Sequence, residues 1–181
     1  MFLGKDASVQ GIKPLYGGFI IFRGSRGYFQ ADFSFLLEYA LLAQEAGAER
    51  LRFAETVGVM EPFNTRRVIS MLVEKLTIPV EFHGHNDFGL ATANSMAAFA
   101  AGAEYISTTV GGLGERAGNT CLEDMVMLFK ACVSPRNGEF RPGILKILSK
   151  YVAEAANRPS VTYRLYPATL LSGPERAKNT V

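Results

Sequence analysis

The chain has 181 residues, 48% of them hydrophobic, which is enough for one ordinary domain of roughly 100–200 residues. Its 19 basic and 17 acidic residues leave a formal charge of +2 and are scattered along the whole length, so no polybasic block points to nucleic acid or anionic lipid. The apolar run Phe19-Ile20-Ile21-Phe22 is far shorter than the ~20 residues of a membrane span, and Met1-Phe2-Leu3-Gly4-Lys5 lacks signal-peptide organisation, so a cytoplasmic protein is expected.

Gly11 to Gly27 mixes glycine with aromatic and basic residues and sustains neither a period of 2 nor of 3.6, so it reads as irregular. A helix is predicted from about Phe33 to Ala46, followed by an internal echo. Ala46-Gly47-Ala48-Glu49 precedes Arg50-Leu51-Arg52-Phe53, and Ala101-Gly102-Ala103-Glu104 precedes Tyr105-Ile106-Ser107-Thr108. Each copy reads as a helix closed by glycine in the left-handed region, then a buried strand rich in β-branched and aromatic residues. Three strand-then-helix units follow: Leu51–Thr56 with Asn64–Leu76, Val80–His85 with Ala91–Ala101, and Tyr105–Val110 with Leu122–Cys132. Units of this length imply parallel strands with right-handed crossovers and an α/β fold, although periodicity does not separate a barrel from an open doubly wound sheet. Ile144–Ala156 is predicted as a last helix with Ile144, Leu145, Leu148, Val152 and Ala155 as its apolar stripe, and Pro159–Val181 reads as an irregular tail. Cys121 and Cys132 would be separated by about 16 Å of helical rise, too far for a disulfide, and read as two small buried residues.

The chain's two histidines stand in Val80-Glu81-Phe82-His83-Gly84-His85-Asn86-Asp87. In a strand, residues i and i+2 point the same way, so both imidazoles can reach one ion from the C-terminal strand end, where parallel α/β sheets carry their active sites. The same spacing also fits two strand-end histidines with no ligand. The third strand runs into Gly111-Gly112-Leu113-Gly114-Glu115-Arg116-Ala117-Gly118-Asn119, after which Thr120 and Glu123 have capping-box spacing. The glycines allow close approach of backbone to a ligand, Glu115 and Arg116 supply charge, and Asn119 supplies a carbonyl oxygen able to ligate a metal. The glycine spacing departs from the dinucleotide-binding pattern. Ala54-Glu55-Thr56-Val57-Gly58 closes the first strand with a hydroxyl that can bond a carboxylate.

Leu51-Arg52-Phe53-Ala54-Glu55-Thr56-Val57-Gly58, His83-Gly84-His85-Asn86-Asp87-Phe88-Gly89-Leu90-Ala91 and Gly112-Leu113-Gly114-Glu115-Arg116-Ala117-Gly118-Asn119, in this order and spacing, resemble the second half of the homocitrate and α-isopropylmalate synthases. The resemblance covers approximately Ala31 to Pro159, and the first motif is most like the homocitrate synthases of nitrogen-fixing bacteria. It implies a partial TIM (β/α)₈ barrel, roughly the last four β/α units, over residues 31–158. It also implies a remnant of the fifth strand within an irregular segment 1–30 and an irregular tail 159–181. A divalent metal (Mg, Mn or Zn) would be held by His83 and His85, with Asn119 a further ligand or close neighbour. Thr56 and Glu81 are the implied substrate-binding residues, and Glu115 and Arg116 the candidate catalytic ones. The implied reaction is a Claisen condensation of acetyl-CoA with an α-keto acid, 2-oxoglutarate giving homocitrate first, with 2-isopropylmalate or citramalate formation as alternatives. The related lyases that cleave hydroxymethylglutaryl-CoA carry a cysteine in the glycine loop and this loop has none, which favours a condensing transferase. The family's first four units, with their arginine and acidic metal ligand, have no counterpart here, and Lys5 stands where relatives have a glutamate. The expectation is therefore a subunit or fragment inactive without a complementary N-terminal half-barrel or a second copy, the alternative being a non-catalytic remnant or binding module. No nucleic acid or membrane partner is expected.

Overall fold

The computed structural model describes residues 19–22, 33–132 and 142–157. Nine helices and strands are formed among them: β1 (Phe19–Phe22), α1 (Phe33–Glu45), β2 (Leu51–Glu55), α2 (Pro62–Lys75), β3 (Val80–Gly84), α3 (Ala91–Ala100), β4 (Tyr105–Ser107), α4 (Leu122–Cys132) and α5 (Pro142–Ala155). The four strands make one parallel sheet in the order β1-β2-β3-β4. Sequential order with a helix between neighbours is the pattern of consecutive β/α units, as in part of a (β/α)₈ barrel. Phe19–Phe22 corrects the expectation of irregular structure over Gly11–Gly27. Four residues are too few to display a period, but they are β-formers and pair along β2 from Phe19↔Arg52 to Phe22↔Glu55. The proposed fifth-strand remnant at Met1–Ser8 and the tail from Pro159 lie outside the described residues.

The chain divides into two compact units, Met1–Ser107 and Thr108–Val181. In the first, Leu51 and Phe53 of β2 and Val80 and Phe82 of β3 are fully buried, packed with Leu36 and Ala40 of α1, Val68, Ile69 and Leu72 of α2 and Ala98 of α3. The Phe53 and Phe82 rings stack 6.3 Å apart. Each such side chain contributes about 1.5–3 kcal/mol by leaving water. The repeated Ala-Gly-Ala-Glu segments do close helices by one device. Ala48 N–H bonds the Ala43 carbonyl and Ala103 N–H the Ala98 carbonyl, both at 3.0 Å, while Gly47 and Gly102 take φ of +91° and +98°. Helix α2 begins two residues earlier than expected, because Glu61 caps the amides of Phe63 and Asn64 and Pro62 occupies the first helical position.

In the second unit, Thr109 and Cys121 form a parallel bridge, and the loop between them opens with a 3₁₀ turn over Val110–Gly112. The strand expected to reach Val110 stops at Ser107, the last residue of β4 that pairs with β3. Glu123, expected to box with Thr120, holds the loop to the helices: both carboxylate oxygens accept Gly111 N–H, at 3.0 and 2.8 Å, and the carboxylate also accepts the Cys121 thiol at 2.8 Å and the Ser149 hydroxyl. Cys121 is buried, but Cys132 is exposed, which corrects the reading of both as buried; both are free thiols. On α5, Leu145, Leu148 and Val152 are half-buried while Ile144 and Ala155 are exposed, so the expected stripe is narrower than its sequence. Among the described residues no helix is long and apolar enough to cross a membrane.

Burial raises the Glu123 carboxyl pKa, but its bonds from Cys121, Ser149 and Gly111 together outweigh this and hold it below the usual carboxylate range. A depressed folded value means stability that is present above the unfolded value of about 4.3 and lost as pH falls through the folded one. Glu123→Gln is expected to lower unfolding free energy by about 1–3 kcal/mol at neutral pH. In urea unfolding over an acid-to-neutral series, the gap to the parent should close toward acid; a pH-independent gap would contradict the assignment.

Candidate functional site

Strand alternation divides the sheet into two faces. Across the registers Phe53↔Phe82↔Ile106, one face packs on the helices. Across Arg52↔Glu81↔Tyr105 and Ala54↔His83↔Ser107, the other carries polar groups. At its N-terminal end Glu81, nearly fully buried, is ion-paired with Arg52 (Nε to Oε1, 2.7 Å) and Arg50 (Nε to Oε2, 3.1 Å), and the Arg50 guanidinium lies 4.6 Å from the Tyr105 ring centroid. A buried carboxylate held by two guanidiniums is compensated. Glu81 is therefore engaged with cations of its own unit, and its position better suits holding Arg52 than meeting an anionic substrate directly.

At the C-terminal end the two histidines come together as their spacing predicts, with ring centroids 4.8 Å apart and planes at 88°. His83 is half-buried and His85 buried. His83 Nδ1 lies 3.0 Å from Ser107 Oγ, and His85 Nδ1 lies 2.7 Å from the Glu55 carbonyl oxygen. The Nε2 atom of each ring makes no hydrogen bond among the described residues. Burial, then the neighbouring His85 and Arg52, push the His83 pKa down, with Glu81 opposing. The neutral imidazole this favours at neutral pH is the form that ligates metals. No group of three or more His, Cys, Asp or Glu side chains converges among the described residues, so any ion here would complete its shell with other donors or water.

Glu55 ends β2 beside this pair, only 2% exposed. Its Oε1 accepts Val59 N–H at 3.0 Å, while the buried Oε2 has no hydrogen-bond partner among the described residues. Burial drives its carboxyl pKa up, against the amides of Val59, Gly58 and Met60 and the nearby His85. Thr56 follows directly, half-buried at the strand's end. Gly58 has φ of +72°, and a Cβ there would strike the Asp87 carboxylate, so only glycine lets the two loops close over the strand ends. Asn86 accepts Ala91 N–H at 3.2 Å and thereby fixes the start of α3.

In the second unit, Asn119 is gripped by the glycine loop. Its N–H bonds the Gly112 carbonyl at 2.9 Å, its amide Nδ2 donates to Leu113 O at 3.2 Å, and a Cβ on Gly114 would meet Asn119 Cγ at 2.6 Å. The Asn119 Oδ1 is buried and without a hydrogen-bond partner among the described residues. An orphaned amide oxygen is unusual and is the atom type a divalent cation takes. Glu115 and Arg116, the candidate catalytic residues, are exposed loop neighbours paired at 3.8 Å, with Arg116 at φ of +52°. Such a pair adds little stability. The structure brings His83 and His85 together, with Glu81 toward the other end of β3 and Thr56 at the end of β2, and sets Glu115, Arg116 and Asn119 on one loop of the second unit. Ser107 and Glu55 were not among the expected site residues. Glu55 had a visible signal in a carboxylate ending an apolar strand, but Ser107 had none until the β3–β4 register was known.

The chain is 54% identical to homocitrate synthase 1 of Nostoc sp. over 127 residues, covering 70% of this chain and 33% of that protein. It is 44% identical to 2-isopropylmalate synthase 2 of Caldanaerobacter subterraneus over 134 residues, covering 72% of the chain and 34% of the relative. The chain thus spans about a third of the length of these relatives. In fold it resembles the carboxyl transferase domain of Rhizobium etli pyruvate carboxylase crystallised with pyruvate, with a TM-score of 0.69 at 22% identity over 80% of this chain and 24% of that one. The model of the HMGL-like family matches residues 21–140. With its parallel strands, its intervening helices and this match over most of its length, the chain belongs to the HMGL-like family, of whose barrel it forms a part.

Proposed function

We propose that this chain supplies the metal-binding and keto-acid-binding part of a synthase that condenses acetyl-CoA with an α-keto acid, 2-oxoglutarate being the first candidate. The observation that carries the reading is the imidazole pair at the C-terminal end of β3, each ring with Nδ1 engaged and Nε2 left over. The names of the relatives support the class, homocitrate and 2-isopropylmalate synthases both being of this kind. A citramalate-forming activity differs only in the keto acid's distal group.

The donor set suits a divalent ion: two neutral imidazoles, and separately the unpartnered Asn119 Oδ1 expected from the family resemblance. Bound there, such an ion supplies Lewis acidity toward the keto acid's carbonyl and carboxylate oxygens. The chain's own residues orient and exclude. Thr56 offers a hydroxyl to a substrate carboxylate, the Glu55 carbonyl and Ser107 hold the rings, and the buried Glu81 is ion-paired with Arg50 and Arg52. In the overall reaction the acetyl methyl loses a proton and bonds to the ketone carbon, the ketone oxygen gains a proton, and hydrolysis of the thioester releases CoA. Glu115 and Arg116 are the loop groups proposed to serve proton or charge transfer. The described sheet ends at β1 and β4, and an unpaired parallel edge is a template for another strand. This supports assembly with the remainder of a barrel, from another chain or a second copy.

Three outcomes follow. His83→Ala with His85→Ala should abolish binding of Mn²⁺ or Zn²⁺ measured by calorimetry, the parent's affinity itself being modest because two imidazoles leave most positions to water. In a reconstituted enzyme, Thr56→Ala should raise KM for the keto acid by about one to two orders of magnitude, the equivalent of roughly 1.5–3 kcal/mol for a bond to a charged group, with little change in the unfolding midpoint. A stability loss with normal KM would return Thr56 to a plain strand residue. Finally, thiol release from acetyl-CoA with 2-oxoglutarate or 2-oxoisovalerate should be absent for this chain alone and appear when the N-terminal part of a related synthase is added. Turnover by the chain alone would overturn the half-site reading, and inactivity of a demonstrably associated mixture would make a non-catalytic module the better description.

A further inference from the structure

We propose that Ser107 is a positioning residue for the histidine pair: with the Glu55 backbone carbonyl, its hydroxyl selects the neutral tautomer in which both rings carry hydrogen on Nδ1 and present the Nε2 lone pair. The inference rests on the metal-binding reading above and concerns what prepares those ligands.

A carbonyl oxygen only accepts. The 2.7 Å contact of His85 Nδ1 with Glu55 O therefore requires hydrogen on Nδ1, and in the neutral ring it leaves Nε2 as the lone-pair nitrogen. His83 has no such forced choice, because a serine hydroxyl both donates and accepts. If Ser107 donated, His83 Nε2 would carry hydrogen and could not ligate an ion. If Ser107 accepts, the two histidines share one tautomer, and both Nε2 atoms are ligand atoms.

The contact is built in rather than incidental. Ser107 is the β4 residue in register with His83, so backbone pairing of β3 with β4 sets the 3.0 Å separation, and the last residue of β4 is the one that matters. Partners of this kind fix ring orientation and tautomer, and removing one typically weakens metal affinity by about 10–100-fold.

The test uses the full chain, metal-free for tautomer measurement and titrated with Zn²⁺ for affinity. Long-range ¹H–¹⁵N spectra of the parent should report hydrogen on Nδ1 for both histidines. In Ser107→Ala, His83 alone should shift toward the other tautomer, and the Zn²⁺ dissociation constant should rise by about 10–100-fold. Ser107→Thr and Ser107→Val have nearly equal volume in a strand that tolerates β-branching. The threonine variant should behave as the parent and the valine variant as the alanine one, which separates the hydroxyl from packing and guards against a misfolded alanine variant. Parent-like affinity together with an unchanged His83 tautomer in both hydroxyl-free variants overturns this inference while leaving the metal reading intact. Absence of Zn²⁺ binding by the parent, or binding undiminished by His83→Ala, overturns the metal reading and this role with it.

Discussion

The alternation of side chains along β3 is the constraint on which the first unit depends. Val80 and Phe82 point to the helices and Glu81 and His83 to the other face, so the strand anchors the core and carries the site at once. A slip of one residue against β2 would send Glu81 and His83 into the packed layer among Phe53, Ile69 and Leu72 and expose Phe82 on the polar face. Either change carries a large penalty, one for burying charge among apolar groups and the other for exposing a ring. The apolar core thereby enforces the register on which the histidine geometry depends, and the precision of the site is inherited from packing that never touches it.

The polar face is arranged in layers along the strand direction. Arg50, Arg52, Glu81 and Tyr105 form an ion-paired group toward the N-terminal strand ends. The histidines lie at the C-terminal ends, with the backbone carbonyl of Glu55 against His85. The C-terminal end is the one at which parallel β/α architecture carries its reactive groups. Glu55, which ends β2, is buried and only partly satisfied. Its raised carboxyl pKa and its orphaned Oε2 are features that stability alone would select against, and such features concentrate where a protein handles ligands.

The second unit solves a different problem, which is to hold a glycine-rich loop still. Glycines at positive φ permit the turns but contribute no side chains to pack, so order is imposed through Glu123, which ties Gly111, Cys121 and Ser149 to one carboxylate. A Cβ on Gly118 would strike the Gly112 carbonyl, so the loop closes on itself backbone to backbone. Asn119 emerges from this frame with its amide nitrogen committed and its oxygen not.

Much of this was legible in the residues themselves. Helix closure at Gly47 and Gly102, the parallel α/β class, the strand carrying His83 and His85 and the family resemblance all rest on short-range patterns, which consecutive residues encode directly. Tertiary structure decided the rest. Phe19–Phe22 is a strand because β2 is there to pair with it, since four residues are too few to reveal a period. Glu81 is ion-paired with Arg52 of β2 and with Arg50 just before it, a meeting that only the pairing of β2 with β3 produces. Ser107 lies opposite His83 only because β4 pairs with β3 in one register out of several that its three residues could adopt. Local patterns choose an element and its faces. Which side chain meets which across two strands depends on the closure of segments far apart in the chain, and that closure is set by the shared core rather than by any motif.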